Sequence, residues 1–229
     1  MAKPKAAEAP TQILVKMPEW GTLVVPIEGV TPLCVHQKGE AVANSILLQQ
    51  QKKANKGKTI EAPREPKNPF KEFRAGFHIV DEKKVPKNEI GVGESWPFVK
   101  DAFGFPARSF KSAMVSCTTI LEGISKDLIK KCIWVKGDLA PLTYSRVELH
   151  QAVLPIGWPP KPDVRHRPLF HDWKTEITID YLKAIFDVNT VINLLATAGR
   201  VCGLGEDRPG KSGGSWGIWE IGKGIKEIA

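Results

Sequence analysis

The chain has 229 residues, 42% of them hydrophobic and 25% charged, with a formal net charge of +8. That balance fits a globular domain with a core of its own and excludes a fibrous or wholly disordered chain. No apolar run approaches the roughly 18 residues of a membrane span, and the first residues, MAKPKAAEAPTQ, lack the hydrophobic stretch of a secretory signal. A cytoplasmic protein is expected, with residues 1–12 a flexible arm and 13–229 a single domain. The cation excess favours partners with phosphate backbones. Cys34, Cys117, Cys132 and Cys202 lie far apart with no C-x-x-C pair. They read as reduced, buried thiols, and neither a metal site nor a cofactor is expected.

Thr22–Glu28, TLVVPIE, reads as the first strand, with Ile13–Met17 as a possible edge strand before it and GVTPL as the closing turn. From Lys38 to Asn68 the chain turns polar and basic, with Lys52, Lys53, Lys56 and Lys58 clustered. This is an inserted loop, partly helical around SILLQQQKKA; its lysines are either solvated or ordered by phosphate contact. Glu72–Val80 is expected as a strand and Asp81–Asp101 as a loop. In FPARSFKSAMVSCTTIL, Phe110, Met114, Cys117 and Leu121 recur at helical spacing, and Gly123 ends the helix. CIWVK (132–136) and KTEITID (174–180) read as strands. Between them LPIGWPPKPDVRHRPLFHDW reads as a proline-rich loop. A second helix spans about Asn189 to Arg200 with Asn189 as its cap, and SWGIWEI forms a last strand. With insertions removed, the order is strand, helix, strand, strand, helix, strand. That is the βαββαβ arrangement of an α+β, ferredoxin-like (RRM-like) domain, an antiparallel sheet with two helices on one face.

Gly205-Glu206-Asp207-Arg208-Pro209-Gly210-Lys211-Ser212 matches the P-loop pattern G-x-x-x-x-G-K-[ST]. A P-loop follows a strand and opens a helix. Here a helix precedes the pattern and GGSWGIWEI follows it, a poor helix former. No aspartate follows Ser212 to hold a metal ion, so a nucleotide hydrolase is rejected. Six glycines fall between Gly203 and Gly217. A tight helix-to-strand connection accounts for two or three of them. The surplus suggests close approach by a phosphate backbone, with Arg208 and Lys211 supplying charge.

Three segments resemble the RAMP superfamily, which includes the RNA-binding backbone subunits of CRISPR effector complexes. More closely, they are similar to uncharacterised phage and prophage proteins with a RAMP-like domain. The segments are the first strand and turn (VVPIEGVTPLCVHQ), the start of the first helix (FGFPARSFKSAMVSC) and the glycine loop (GLGEDRPGKSGGSWGIWEI). The resemblance implies sequence-nonspecific binding of single-stranded RNA or DNA, often by a homo-oligomer or filament, in a phage or prophage setting within a bacterial host. Carried onto this chain, it implies nucleic-acid contact by Arg108, Ser109 and Lys111 at the helix start. In the glycine loop it implies contact by Gly203, Gly205, Arg208, Lys211, Gly213 and Gly214. It also makes residues 38–71 a partner-contacting insertion. The acidic Glu206 and Asp207 depart from the pattern and are expected to pair with Arg208.

DVRHRPLFHDW places Arg165 and Arg167 among aromatic residues, a composition suited to a single strand with stacked bases. The alternative is a packed loop with Phe170 and Trp173 as buried anchors. His36 is a candidate general acid or base, since some RAMP endonucleases cleave RNA with a histidine; the alternative is a turn histidine. Asp81 and Asp101 could serve a related cleavage, and nothing singles either out. Metal-independent RNA cleavage is therefore the enzymatic alternative to binding, and an interaction module with a protein partner is the third reading.

Overall fold

The computed structural model describes residues 16–37, 66–156, 159 and 161–228. The arm at 1–12, the SILLQQQKKA helix and the candidate contacts Lys52, Lys53 and Lys56 lie outside the described residues, as does most of the expected edge strand.

β1 (Trp20–Gly29) alternates as its sequence requires: Leu23, Val25 and Ile27 are fully buried, and Thr22, Val24 and Pro26 between them are not. β2 (Leu33–Cys34) follows a bend. α1 (Pro69–Ala75) overturns the strand expected over Glu72–Val80. Asn68 caps it, its side chain accepting from Lys71 N at 3.0 Å, and Pro69 takes the first turn. Phe70 and Phe73 both pack on the core, three apart, which is helical rather than strand spacing. Only β3 (His78–Ile79) is extended there. The expected loop at 81–101 contains a 3-10 turn, Glu82–Lys84, and β4 (Ser95–Pro97).

β5 (Phe103–Pro106) leads into α2 (Arg108–Cys117), whose buried face is Phe110, Ala113, Met114 and Cys117. α3 (Lys126–Cys132), capped by the Ser125 hydroxyl, leads directly into β6 (Ile133–Val135), with β7 (Leu139–Pro141) after it.

The proline-rich loop is instead a long antiparallel hairpin, β8 (Arg146–Ile156) with β9 (Lys161–His171). Pro155 faces Pro162, and Pro168 faces Leu149. Leu149 turns its N–H and C=O outward, to Glu94 and Gly93, and Pro168 turns its C=O outward to Val35 N. Alternation then puts all three prolines at positions whose N–H would face away from the β8–β9 ladder. Their missing donors cost the hairpin nothing, and so the proline content misleads.

β10 (Lys174–Leu182) precedes α4 (Val188–Val201). The cap of α4 is Asp187, not Asn189; the Asp187 side chain accepts from Thr190 N at 2.8 Å. α5 (Pro209–Ser212) is one turn within the glycine loop, and β11 (Trp219–Ile221) and β12 (Lys226–Ile228) close the described chain.

The central sheet has the order β11-β1-β10-β6, and every pairing is antiparallel. Relabelled by the core order β1, α2, β6, β10, α4, β11, it reads 4-1-3-2 with one helix after the first strand and one after the third. This is the ferredoxin-like βαββαβ fold, α+β, as expected. β12 continues β11 along the same edge of β1 after the register slips by two residues. The slip solves a local problem. The Pro26 carbonyl accepts from Gly222 N, so its missing N–H also faces that edge, where the bulge leaves no acceptor waiting. Two smaller antiparallel sheets, β2-β9-β8-β4 and β3-β5-β7, join the same continuous apolar core. Five helices, not two, occur among the described residues.

Candidate nucleic-acid interface

A cleft of about 750 Å³ opens where the three distant motif segments meet. One wall is α2, through Arg108, Ser109, Ser112 and Ser116. The opposite wall is the glycine loop from Cys202 to Gly210, and His36 and His78 lie at its margins. The wall residues of α2 are spaced as one helical face.

The glycine loop is fastened to the β1–β2 connection. Glu206 N donates to Cys34 O at 2.9 Å, and Gly217 N donates to Pro32 O at 2.8 Å. Within the loop Leu204 N donates to Gly217 O at 2.9 Å. This fit accounts for all six glycines, against the expectation that tight geometry would explain two or three. Gly203, Gly205, Gly213 and Gly217 have positive φ. A Cβ on Gly210 would meet Cys202 backbone at 3.0 Å, and one on Gly214 would overlap the Asp207 backbone. The loop also explains the P-loop match: α4 runs into it, and α5 is a single turn that coincides with the second half of the pattern.

Five of the expected contact residues, Arg108, Ser109, Gly203, Gly205 and Arg208, line this cleft, as does His36. The first turn of α2 carries no side-chain cap and no acidic residue of its own, and Asp138, whose carbonyl accepts from Ala107 N at 2.9 Å, lines the same cleft. Arg108 is exposed beside it. Arg208 is held in place by its Nη1, which donates to Gly205 O at 2.6 Å. Burial, and then Arg108, holds the His78 imidazole below its ordinary 6.5. His36, exposed at the cleft rim, is shifted the same way by partial desolvation and then by the charge of Arg167. Both rings are thus biased toward the neutral form.

The other expected residues lie elsewhere. Lys111 turns to the flank of α2, where its Nζ donates to Lys130 O at 2.8 Å and sits 5.7 Å from the Trp134 ring centre. Arg165 stands on β9 against Asp163, at 3.1 Å. Arg167 is 5% exposed, with Nη1 3.1 Å from a Glu206 carboxylate oxygen. Lys211 reaches both Glu206 oxygens at 3.2 Å. Burial pushes the Glu206 carboxyl up, yet Arg167 and Lys211 together outweigh it and hold the group below 4.5. Glu206 thus pairs with Arg167 and Lys211, and Asp207 accepts from the Ser212 hydroxyl, rather than either pairing with Arg208. Gly213 and Gly214 lie beyond the cleft rim. Phe170 and Trp173 are buried anchors and not a stacking surface. Burial pushes the Cys34 thiol up to about 12 despite the neighbouring Arg167 charge, so it is an inert thiol.

Sequence reasoning missed His78, Ser112, Ser116 and Asp138, all in the cleft lining. The serines had a signal, since 109, 112 and 116 recur at helical spacing in the resembling segment. Among the described residues no group of three or more His, Cys, Asp or Glu side chains is placed to hold a metal ion. Among them, too, no helix is long and apolar enough to cross a membrane.

No family model matches the chain, and no curated protein matches it. A solved structure that it resembles is a chain in the cryo-EM structure of the Type III-B Cmr-beta bound to cognate target RNA. The two are 12% identical with a TM-score of 0.43, and the match covers 91% of this chain but 61% of that one.

Proposed function

We propose that the protein binds single-stranded nucleic acid, RNA foremost, by holding backbone phosphates in the cleft between α2 and the glycine loop. The observation that carries this reading is the convergence on one cleft of the uncapped start of α2, Arg108 and Arg208. Guanidinium groups and backbone amides suit phosphate oxygens and carry no base code, so binding follows the strand without reading its sequence. In this reading the chain is a RAMP-type domain of phage or prophage origin, spanning 13–229 with an insertion at 38–71. It works in the cytoplasm and repeats along the strand as a homo-oligomer.

The test is gel mobility of labelled single-stranded RNA and DNA across a salt series, with strand integrity read on the same samples. Retardation that weakens as salt rises is expected; two phosphate contacts give a slope of about −1.4 in log K against log salt. No retardation at any salt refutes the reading. A second reading, RNA cleavage, is favoured by the two imidazoles lining the cleft, both biased toward the neutral form. One could take the 2′-hydroxyl proton as that oxygen displaces the 5′-oxygen from phosphorus, and the imidazolium so formed could return the proton to the departing 5′-oxygen. RNA shortened while DNA stays intact, with loss on His36→Ala, would establish it.

A further inference from the structure

Arg167 is the most deeply buried cation near the cleft, and it is only partly engaged. Its Nη1 meets Glu206 at 3.1 Å and the Cys34 thiol lies beside the guanidinium, while Nε and Nη2 have no oxygen or nitrogen partner among the described residues. Those two nitrogens form the side-on edge of the guanidinium, the edge that grips a carboxylate or phosphate with two parallel bonds. A buried donor without a partner is uncommon enough in a native protein to call for an explanation.

Nε and Nη2 are sealed from solvent, so a ligand would meet this guanidinium first at Nη1, on the side that Glu206 now holds. Glu206 lines the cleft and stands between it and Arg167, with its side chain 25% exposed. Its backbone is pinned by Glu206 N to Cys34 O, so the loop can stay in place while the carboxylate swings. Around it cations outnumber anions. Arg167 and Lys211 contact the carboxylate, and His36 lies in the field of both and of Arg165, with Glu206 the acid facing it. A phosphodiester carries the same single negative charge as this carboxylate and likewise presents two oxygens.

We propose that Arg167 is a second phosphate site of the cleft, closed in the free protein by the Glu206 carboxylate. A strand phosphate opens it by taking the place of Glu206 on Arg167 and Lys211. The inference rests on the reading of the cleft as a nucleic-acid site. It also adds something to that reading, since two of the cations are masked by an internal anion until a strand arrives. Binding then exchanges one anion for another at this point and releases less salt than the number of cations suggests.

The experiment is fluorescence anisotropy of a labelled oligouridylate against salt, for the wild type, Glu206→Gln, Lys211→Gln and the double variant. Glu206→Gln keeps the shape and an oxygen acceptor for Arg167. It is expected to bind at least about fivefold tighter at 0.1 M salt, with a slope steeper by about 0.7, the share of one more phosphate on a single strand. Lys211→Gln is expected to weaken binding more in the Glu206→Gln background than alone. Glu206→Gln binding no tighter than wild type, or strictly additive effects, overturns the proposal. A measurement on the wild type removes any dependence on the variants' folding. The Nε–H resonance of Arg167, in ¹⁵N-arginine protein and identified through Arg167→Lys, is expected to move as oligouridylate is added. If it stays put while binding saturates, the second site is wrong and the cleft reading stands. If the wild type binds no oligonucleotide at low salt, the cleft reading itself fails.

Discussion

Gly205→Ala and Gly213→Ala differ in environment although both glycines have left-handed backbone, with φ of +72° and +73°. A Cβ on Gly213 meets nothing within 4 Å, so only backbone strain is added, about 1 kcal/mol. A Cβ on Gly205 overlaps the Cys34 carbonyl oxygen and comes within 3.0 Å of Leu33 Cδ1. That oxygen belongs to backbone and cannot turn aside. The loop must lift from β2, which breaks the bond from Glu206 N to Cys34 O. Strain of about 1–2 kcal/mol and a stranded buried acceptor at about 1–3 kcal/mol sum to roughly 2–5 kcal/mol. Urea unfolding of the two variants beside wild type measures both. Gly205→Ala is expected to lose at least about 1 kcal/mol more than Gly213→Ala, the lower end of the stranded-acceptor cost. The same pair separates two roles for the glycines. If they are there for fit, Gly213→Ala binds an oligonucleotide within about twofold of wild type, a difference of about 0.4 kcal/mol. Equal destabilisation by the two substitutions, or loss of binding by a folded Gly213→Ala, would refute the reasoning.

Arg108→Ala with Arg208→Ala is expected to flatten the salt slope by about 1.4, two single-strand contacts, as well as weaken binding; a weaker but equally steep dependence would mean these arginines do not touch phosphate. His36, His78 and His150 all have folded pKa values below 6.5, set first by burial. The folded state therefore holds fewer protons than the unfolded one as pH drops below 6.5, so stability should fall there, and thermal unfolding between pH 7.5 and 5.5 will read it. Binding should move the opposite way, because a strand phosphate favours the protonated rings of His36 and His78; affinity that falls on acidification while the protein stays folded would contradict their place in the cleft. Asn68→Ala should cost about 1 kcal/mol through the lost cap of α1, measured by urea unfolding.

The elements that could be read in advance are those whose packing obeys one period. β1 and β10 alternate, and α2 and α4 each bury one stripe. Because these four, with β6 and β11, make the ferredoxin-like core, the fold class was legible. The failures have local causes. Around α1, Phe73, Phe77, Ile79 and Val80 give Glu72–Val80 a strand-like composition, although Asn68-Pro69 before it is a helix start. The last strand shrank from SWGIWEI to Trp219–Ile221 because Trp216 N and Gly217 N are bonded to Asp207 O and Pro32 O, as members of the loop. The prolines of β8 and β9 argued against a ladder whose hydrogen bonds they never interrupt.

The cleft was legible only in part because its walls come from different kinds of information. The helix start and the glycine loop carry local patterns, and the motif segments do converge. His78 and Asp138 arrive through β5, which pairs with β3 on one side and β7 on the other. No short-range pattern marks a residue brought in by such pairing. Arg167 shows the opposite difficulty. It shares a face of β9 with Arg165, and in sequence the two are equivalent. But β9 runs from an exposed tip into the interior, and from His166 to Phe170 both of its faces are covered. Alternation stops reporting exposure where a strand is buried on both sides. One arginine therefore stays at the surface while the other needs an internal counter-charge. Glu206, which departs from a phosphate-cradling pattern when read along the loop, supplies that charge from across the fold. The acid that argued against phosphate contact in the sequence is, in space, the group that holds a phosphate-like position beside the cleft.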